Sequence, residues 1–182
     1  ARRAPQMAGR ALAVTVLAAG LGFVAVEAVA GTPWRSIAPL HLCDLAVFVA
    51  AHALWTRREL TGELTYFWGL AGTLPAMLTP ELAEAFPHHR FCFYFAQHGT
   101  IVIAAVVLVP GTWLRPRRVL VSWLLLNAVA IVVGLVDWLC GANFLYLRAP
   151  PSTATPLDWF GPWPRYLLAC EAIARGAFAL LA

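Results

Sequence analysis

The sequence has no lysine, two methionines and few charges of either sign. Charged residues fill 12% of its 182 positions, roughly half the share of an ordinary soluble domain. Hydrophobic residues fill 61%, and the mean hydropathy is +0.73. A soluble fold of this size cannot hide so much apolar surface, because small domains keep much of their surface in water. The same balance excludes disorder. Cysteine is sparse too. Cys43, Cys92, Cys140 and Cys170 are scattered with no Cys-x-x-Cys pair, so neither a disulfide framework nor a zinc knuckle is indicated. What is present is arginine: all 13 basic residues, for a net charge of +4, in short clusters between apolar runs. That fits the charge bias of membrane loops and not a nucleic-acid footprint. The expected class is an all-α polytopic transmembrane helix bundle, partnered by membrane lipids and not by nucleic acid.

A helical span needs about 20 mostly apolar residues. Six stretches qualify: 10–30, 38–55, 63–79, 92–110, 118–139 and 164–182. They form one domain over 1–182, with no internal repeat. The third carries Gly69, Gly72 and Pro75, which predicts a kink or a broken helix. The proline-rich stretch Gly141 to Pro164 reads as a loop, with Trp159, Phe160 and Trp163 at the lipid interface. No small-residue cleavage site follows the first run, so it is not read as a signal peptide. The chain begins at Ala1 rather than Met, which leaves room for an upstream helix.

Arginine counts set the orientation. The N-terminal side, X, holds Arg2, Arg3, Arg10, Arg57, Arg58, Arg115, Arg117 and Arg118. The opposite side, Y, holds Arg35, Arg90, Arg148 and Arg165, and Arg175 lies inside the sixth span. The bias makes X cytoplasmic and Y exoplasmic in a multi-pass protein of the cell membrane.

Ionisable groups inside membrane spans are costly, so each one marks a candidate site. Here they gather towards side Y. His41, Cys43 and Asp44 open the second span, with Pro39 suited to its first helical position. Gln97 and His98 lie early in the fourth, and Asp137 and Asn143 at or just past the end of the fifth. A thiol in a first helical turn feels the positive end of the helix dipole. On an ideal helix His41 and Asp44 share a face, and Cys43 points away from His41. A base for Cys43 must therefore come from another helix, and His98 is the natural candidate.

Several runs carry a family resemblance: Pro39-Leu40-His41-Leu42-Cys43-Asp44-Leu45, Tyr66-Phe67-Trp68-Gly69-Leu70-Ala71-Gly72-Thr73 and Leu78-Thr79-Pro80-Glu81-Leu82. Phe95-Ala96-Gln97-His98-Gly99 and Gly141-Ala142-Asn143-Phe144-Leu145-Tyr146-Leu147 extend it. Together, over about residues 35–150, they resemble the YwaF family of bacterial membrane proteins, related to eukaryotic transmembrane protein 164. The resemblance implies a multi-helix membrane fold, often with one more N-terminal helix. It also implies acyl transfer to lysophospholipids through a cysteine and a histidine, which match Cys43 and His98. Phe144-Leu145 departs from an aromatic-Met pattern.

Three functions are weighed. In the first, Cys43 and His98 are catalytic in phospholipid or lysophospholipid acyl transfer, with no cofactor. His41, Asp44, Gln97, Asp137 and Asn143 then line or support the cavity, Gln97 or Asn143 holding an oxyanion and Asp44 or Asp137 orienting His98. In the second, His41, Cys43, Asp44 and His98 hold zinc for a membrane hydrolase, although His-x-Cys-Asp is no standard metal spacing. In the third, the cluster serves a non-enzymatic transporter or lipid-binding protein. The bland reading of Cys43 is a packing residue. His52, His88 and His89 read as loop or interface residues, and Glu171 and Arg175 as a pair one helical turn apart. Glu27 reads as a packing carboxylate with a partner elsewhere, and Cys92 and Cys140 lie near the same side, where an oxidising compartment would permit a disulfide between them.

Overall fold

The computed structural model describes residues 3–108, 116–151 and 155–182, and all regular structure among them is helical. The elements are α1 (Arg3–Val29), α2 (Trp34–Ile37), α3 (Leu42–Thr56), α4 (Glu59–Trp68), α5 (Leu74–Leu78), α6 (His89–Leu108), α7 (Pro116–Cys140) and α8 (Arg165–Leu180). A π-helical turn, Gly69–Thr73, joins α4 to α5, and short 3-10 turns cover Phe144–Tyr146 and Pro156–Phe160. Each of the six expected spans coincides with a helical stretch. Among the described residues three helical stretches are long and apolar enough to cross a bilayer on those grounds: Gln6–Val29, His89–Leu108 and Pro116–Cys140. Helix α3 has 15 residues, about 22 Å at the usual rise, against a hydrocarbon core of about 30 Å. Of the counted arginines, Arg2 and Arg115 lie outside the described residues.

The third stretch is interrupted as expected. Pro75 has no N–H to give to the preceding turn. The chain responds by widening its register, and Leu74 N–H reaches back to Gly69 O. Gly69 and Gly72 fit this turn against its neighbours. A Cβ on Gly69 would sit 3.2 Å from Ile101 Cγ2, and one on Gly72 2.9 Å from Leu42 Cδ2.

The start of α3 differs from the expectation that Pro39 opens it. The helix begins at Leu42, with His41 as an extended N-cap, and Pro39 lies outside. The Asp44 carboxylate fixes that boundary, because its Oδ2 accepts from His41 N–H at 3.2 Å, satisfying a donor left over at a helix start.

Helices α1, α3 and α6 form the tightest core: Val16, Ala46, Val47, Ala50, Leu54, Ile101 and Ala104. Small side chains bring the backbones close, and a Cβ on Gly20 would lie 2.9 Å from Val47 Cγ2. A second cluster joins α4 to α7 and α8, with Phe67 stacked on Phe178 at 4.9 Å. Helix α7 buries little. Ile131, Val132, Leu135, Trp138 and Leu139 are all exposed, an apolar face suited to lipid and ill-suited to water.

Ion pairs close both ends of the bundle. At the X end Arg118 donates to Glu59 at 2.8 Å and to Glu63 at 3.2 Å. At the Y end the buried Glu27 carboxylate accepts from Arg90 Nη2 at 2.6 Å, Arg90 Nε at 2.9 Å and Thr32 Oγ1 at 2.7 Å, and lies 2.8 Å from His89 Nε2. His89 is thus the first residue of α6 and a partner of Glu27, not a solvated loop residue. Glu171 and Arg175 do pair, at 2.8 Å, and Trp123 Nε1 donates to the same carboxylate oxygen.

Candidate functional site

The first turn of α3 and the second and third turns of α6 build the Y-end site. Capping of α3 at His41 places Cys43 and Asp44 in its first turn. In α6, which packs directly on α3, Tyr94, Gln97 and His98 share about one turn. Gln97 Nε2 donates to Asp44 Oδ1 at 2.8 Å, a direct tie between the two helices. His98 is 3% exposed, and its Nδ1 lies 2.8 Å from the carbonyl of Tyr94. A carbonyl only accepts, so Nδ1 carries the hydrogen and Nε2 keeps the lone pair. The Tyr94 ring stacks on the imidazole at 4.0 Å, and its hydroxyl donates to Ala76 O at 2.7 Å. Tyr94 also lies within electrostatic reach of Cys43 and Glu81. Cys43 is half-buried against the α1–α3–α6 core. No hydrogen bond joins its sulfur to His98 among the described residues. All four cysteines are free thiols, including Cys92 and Cys140.

The remaining site candidates hold the loop after α7. Asp137 is fully buried, and its Oδ1 accepts from Phe144 N–H at 2.9 Å. His41 Nδ1 accepts from Leu145 N–H at 3.4 Å, and its ring packs edge-on against Phe144. Asn143 turns inward on its own segment: Oδ1 accepts from Arg148 N–H at 2.9 Å and Ala149 N–H at 3.1 Å, and Nδ2 donates to Ala149 O at 2.9 Å. Leu145 and Tyr146 both adopt positive φ, at 55° and 54°. Such backbone is strained for non-glycine residues and persists only where its surroundings hold it. Here the Tyr146 hydroxyl donates to Glu81 and the Tyr166 hydroxyl donates to the Tyr146 carbonyl.

The candidates therefore divide by position. Asp44 and Gln97 sit beside Cys43 and His98. His41, Asp137 and Asn143 pin the 141–149 segment at the same end. Tyr94 escapes a sequence reading, although its place four residues before His98 was the available signal. Thr73 escapes it too: its Oγ1 is buried in the π turn with no hydrogen-bond partner. Asp137 Oδ2 is likewise unpartnered. Among the described residues no three His, Cys, Asp or Glu side chains gather as a metal-holding set, so the residues proposed for zinc do not converge.

A model of the TMEM164 family matches residues 1–182. An uncharacterized protein of Treponema pallidum (strain Nichols) is 29% identical over 125 residues, covering 66% of this chain and 51% of the relative. The chain thus spans about half the length of that curated relative. No solved structure matches it. Together with the long apolar helices, the whole-length match identifies a helical membrane protein, and the chain belongs to the TMEM164 family.

Proposed function

We propose that the chain transfers fatty acyl groups between membrane lipids through a thioester on Cys43, with His98 as the base. The observation that carries this reading is the 2.8 Å contact of His98 Nδ1 with the Tyr94 carbonyl. It leaves Nε2 as the basic nitrogen of a buried ring, on the helix packed against the one that carries Cys43. Nε2 takes the thiol proton, and the sulfur attacks the carbonyl carbon of a phospholipid ester. The C–O bond breaks, the departing lipid hydroxyl takes the proton back, and the acyl group stays on sulfur. A lysophospholipid hydroxyl then gives its proton to Nε2 and attacks the thioester, releasing the thiol. Closure of Cys43 onto His98 is left to substrate binding, as catalytic hydrogen bonds often tighten only in the complex.

Asp44 and Gln97 keep α3 and α6 in register. In the cell membrane the arginine bias puts this end on the exoplasmic side of a multi-pass protein. A lipid reaches it sideways between helices. Water in place of the lipid hydroxyl turns the same steps into hydrolysis.

The test is intact-protein mass spectrometry after single-turnover incubation with phospholipid. A hydroxylamine-sensitive acyl adduct on the native chain, absent from Cys43→Ala and His98→Ala, is the expected result. No adduct on a demonstrably free Cys43 thiol, with no lysophospholipid formed either, overturns the covalent route and leaves a lipid-binding or transport role.

A further inference from the structure

An open groove of about 400 Å³ lies between the last turns of α7 and the loop that follows, lined by Gly134, Trp138, Leu147, Arg148 and Trp163. It stands apart from Cys43 and His98, neither of which lines it. Its chemistry is divided. One end is a guanidinium, and the remaining walls are two indoles, a leucine and a bare glycine backbone.

The walls are held in place. Arg148 Nη1 donates to the carbonyls of Asp137 and Ala142, at 3.2 Å each. Its backbone N–H is taken by Asn143 Oδ1 at 2.9 Å. Trp163 Nε1 donates to Leu147 O at 2.9 Å, which fixes the opposite wall. Arg148 Nε and Nη2 have no acceptor among the described residues. A guanidinium anchored on one side, with two donors unspent on the other, is set up for a forked contact with an oxyanion. Gly134 keeps the floor open, since a Cβ there would already touch Leu147 Cδ1 at 3.4 Å. Trp138 is 73% exposed and Trp163 56%, and neither indole is explained by burial in the bundle. Indoles and arginine at the end of a long apolar helix belong at headgroup depth.

We infer that this groove is a phospholipid-binding site, with the lipid phosphate on Arg148 Nε and Nη2 and the first part of an acyl chain along Gly134 between Trp138 and Leu147. Charge complementarity selects an anionic phosphate, and the apolar floor selects one that carries a hydrocarbon tail. The volume fits a headgroup and the first carbons, with the remainder of the lipid staying in the bilayer along the exposed face of α7. The site needs only a membrane protein and stands whether or not Cys43 carries an acyl group.

The experiment is photo-crosslinking of the full chain in nanodiscs, using phosphatidylglycerol with a diazirine near the carboxyl end of one acyl chain, followed by peptide mapping. Adducts are expected on the segment from Gly134 to Arg148. Arg148→Gln is expected to lower them about tenfold, the size of one lost charged contact, and Gly134→Leu and Trp138→Ala several-fold, by filling the floor or removing a wall. Trp138→Ala touches an exposed wall and keeps the fold, so it decides the matter if Arg148→Gln misfolds. Diacylglycerol carrying the same diazirine should label the segment only at the level that the groove variants retain, the background from bulk lipid on the exposed face of α7. Cys43→Ala should label as the native chain does. Equal labelling in all three groove variants means bulk lipid and overturns the site. Loss of labelling on adding millimolar inorganic phosphate assigns the groove to a soluble anion and overturns the lipid commitment. Loss in Cys43→Ala alone means the adduct reports chemistry, which also overturns it.

Discussion

Gln97 and Asp44 meet at 2.8 Å across the α3–α6 interface, and the next residues in each chain segment are His98 and Cys43. A single hydrogen bond thus registers the start of α3 against the third turn of α6, which carry the proposed dyad. Gln97→Leu removes the donor and leaves a buried carboxyl oxygen without it, a loss of about 1–3 kcal/mol. The thermal midpoint in detergent should fall accordingly. Asp44→Leu combined with Gln97→Leu should cost less than the two single losses added together, because both remove the same hydrogen bond, while the His41 N–H cap is lost in Asp44→Leu either way. Strictly additive losses would show that the pair does not act as a unit.

The Glu27–Arg90 fork makes a graded prediction. Arg90 gives two hydrogen bonds to one buried carboxylate, at 2.6 and 2.9 Å, which a lysine ammonium cannot copy in that geometry. Arg90→Lys should therefore destabilise, and Arg90→Leu should destabilise more, by about 3–5 kcal/mol for a buried charge left with weaker partners. Denaturant titration of the three proteins ranks them. Equal stability of the Lys and native forms would mean that charge alone matters at this end of the bundle.

Long-range geometry was the part of the molecule least legible in the sequence. Apolar runs locate the helical stretches because a membrane span is read from composition alone. Gly69, Gly72 and Pro75 announce an interrupted helix, and a missing N–H explains why it widens into a π turn. The start of α3 was misplaced, because Pro39 is a local signal and the Asp44 cap that overrides it acts through a side chain five residues further on. The clustering of polar residues at one end was readable from helix alternation. Their division was not: whether Asn143 faces the proposed dyad or its own loop depends on positive φ at Leu145 and Tyr146, and no residue type there signals it. Glu27 called for a partner, but only the packing of α1 on α6 chooses Arg90 and His89.

Asn143 makes three hydrogen bonds within its own segment. Asn143→Ala removes them all, at about 1 kcal/mol each when part-exposed. Amide hydrogen exchange should quicken at Arg148 and Ala149, whose N–H groups lose their acceptor, while amides of α3 and α6 keep their protection. Unchanged exchange at Arg148 would show that the segment is held by the Tyr146 and Tyr166 contacts without Asn143.

Tyr94 separates two ways of supporting His98. Its carbonyl fixes the imidazole tautomer, and its ring covers the imidazole face at 4.0 Å. Tyr94→Phe keeps both and loses only the hydroxyl contact with Ala76, so acyl-adduct formation should change by less than about tenfold. Tyr94→Ala keeps the carbonyl and loses the ring, freeing the imidazole to turn, and single-turnover acylation should slow by about 10²-fold or more. Equal rates for Tyr94→Ala and the native chain would remove the stack from the mechanism.

Orientation is tested by the thiols already present. Cys92 is exposed near the start of α6, whereas Cys43, Cys140 and Cys170 are partly covered. If the end that carries Arg90 and Arg148 is exoplasmic, a membrane-impermeant maleimide added to intact cells labels Cys92, and Cys92→Ser abolishes the signal. Thr56→Cys in the Cys92→Ser background places a thiol at the exposed far end of α3, beside Arg57 and Arg58. That thiol should react only after permeabilisation. The reverse pattern would place the arginine-rich end outside, against the bias that positive residues impose on insertion. The proposed lipid groove and the Cys43 site share an end of the bundle, so either result assigns both to one leaflet.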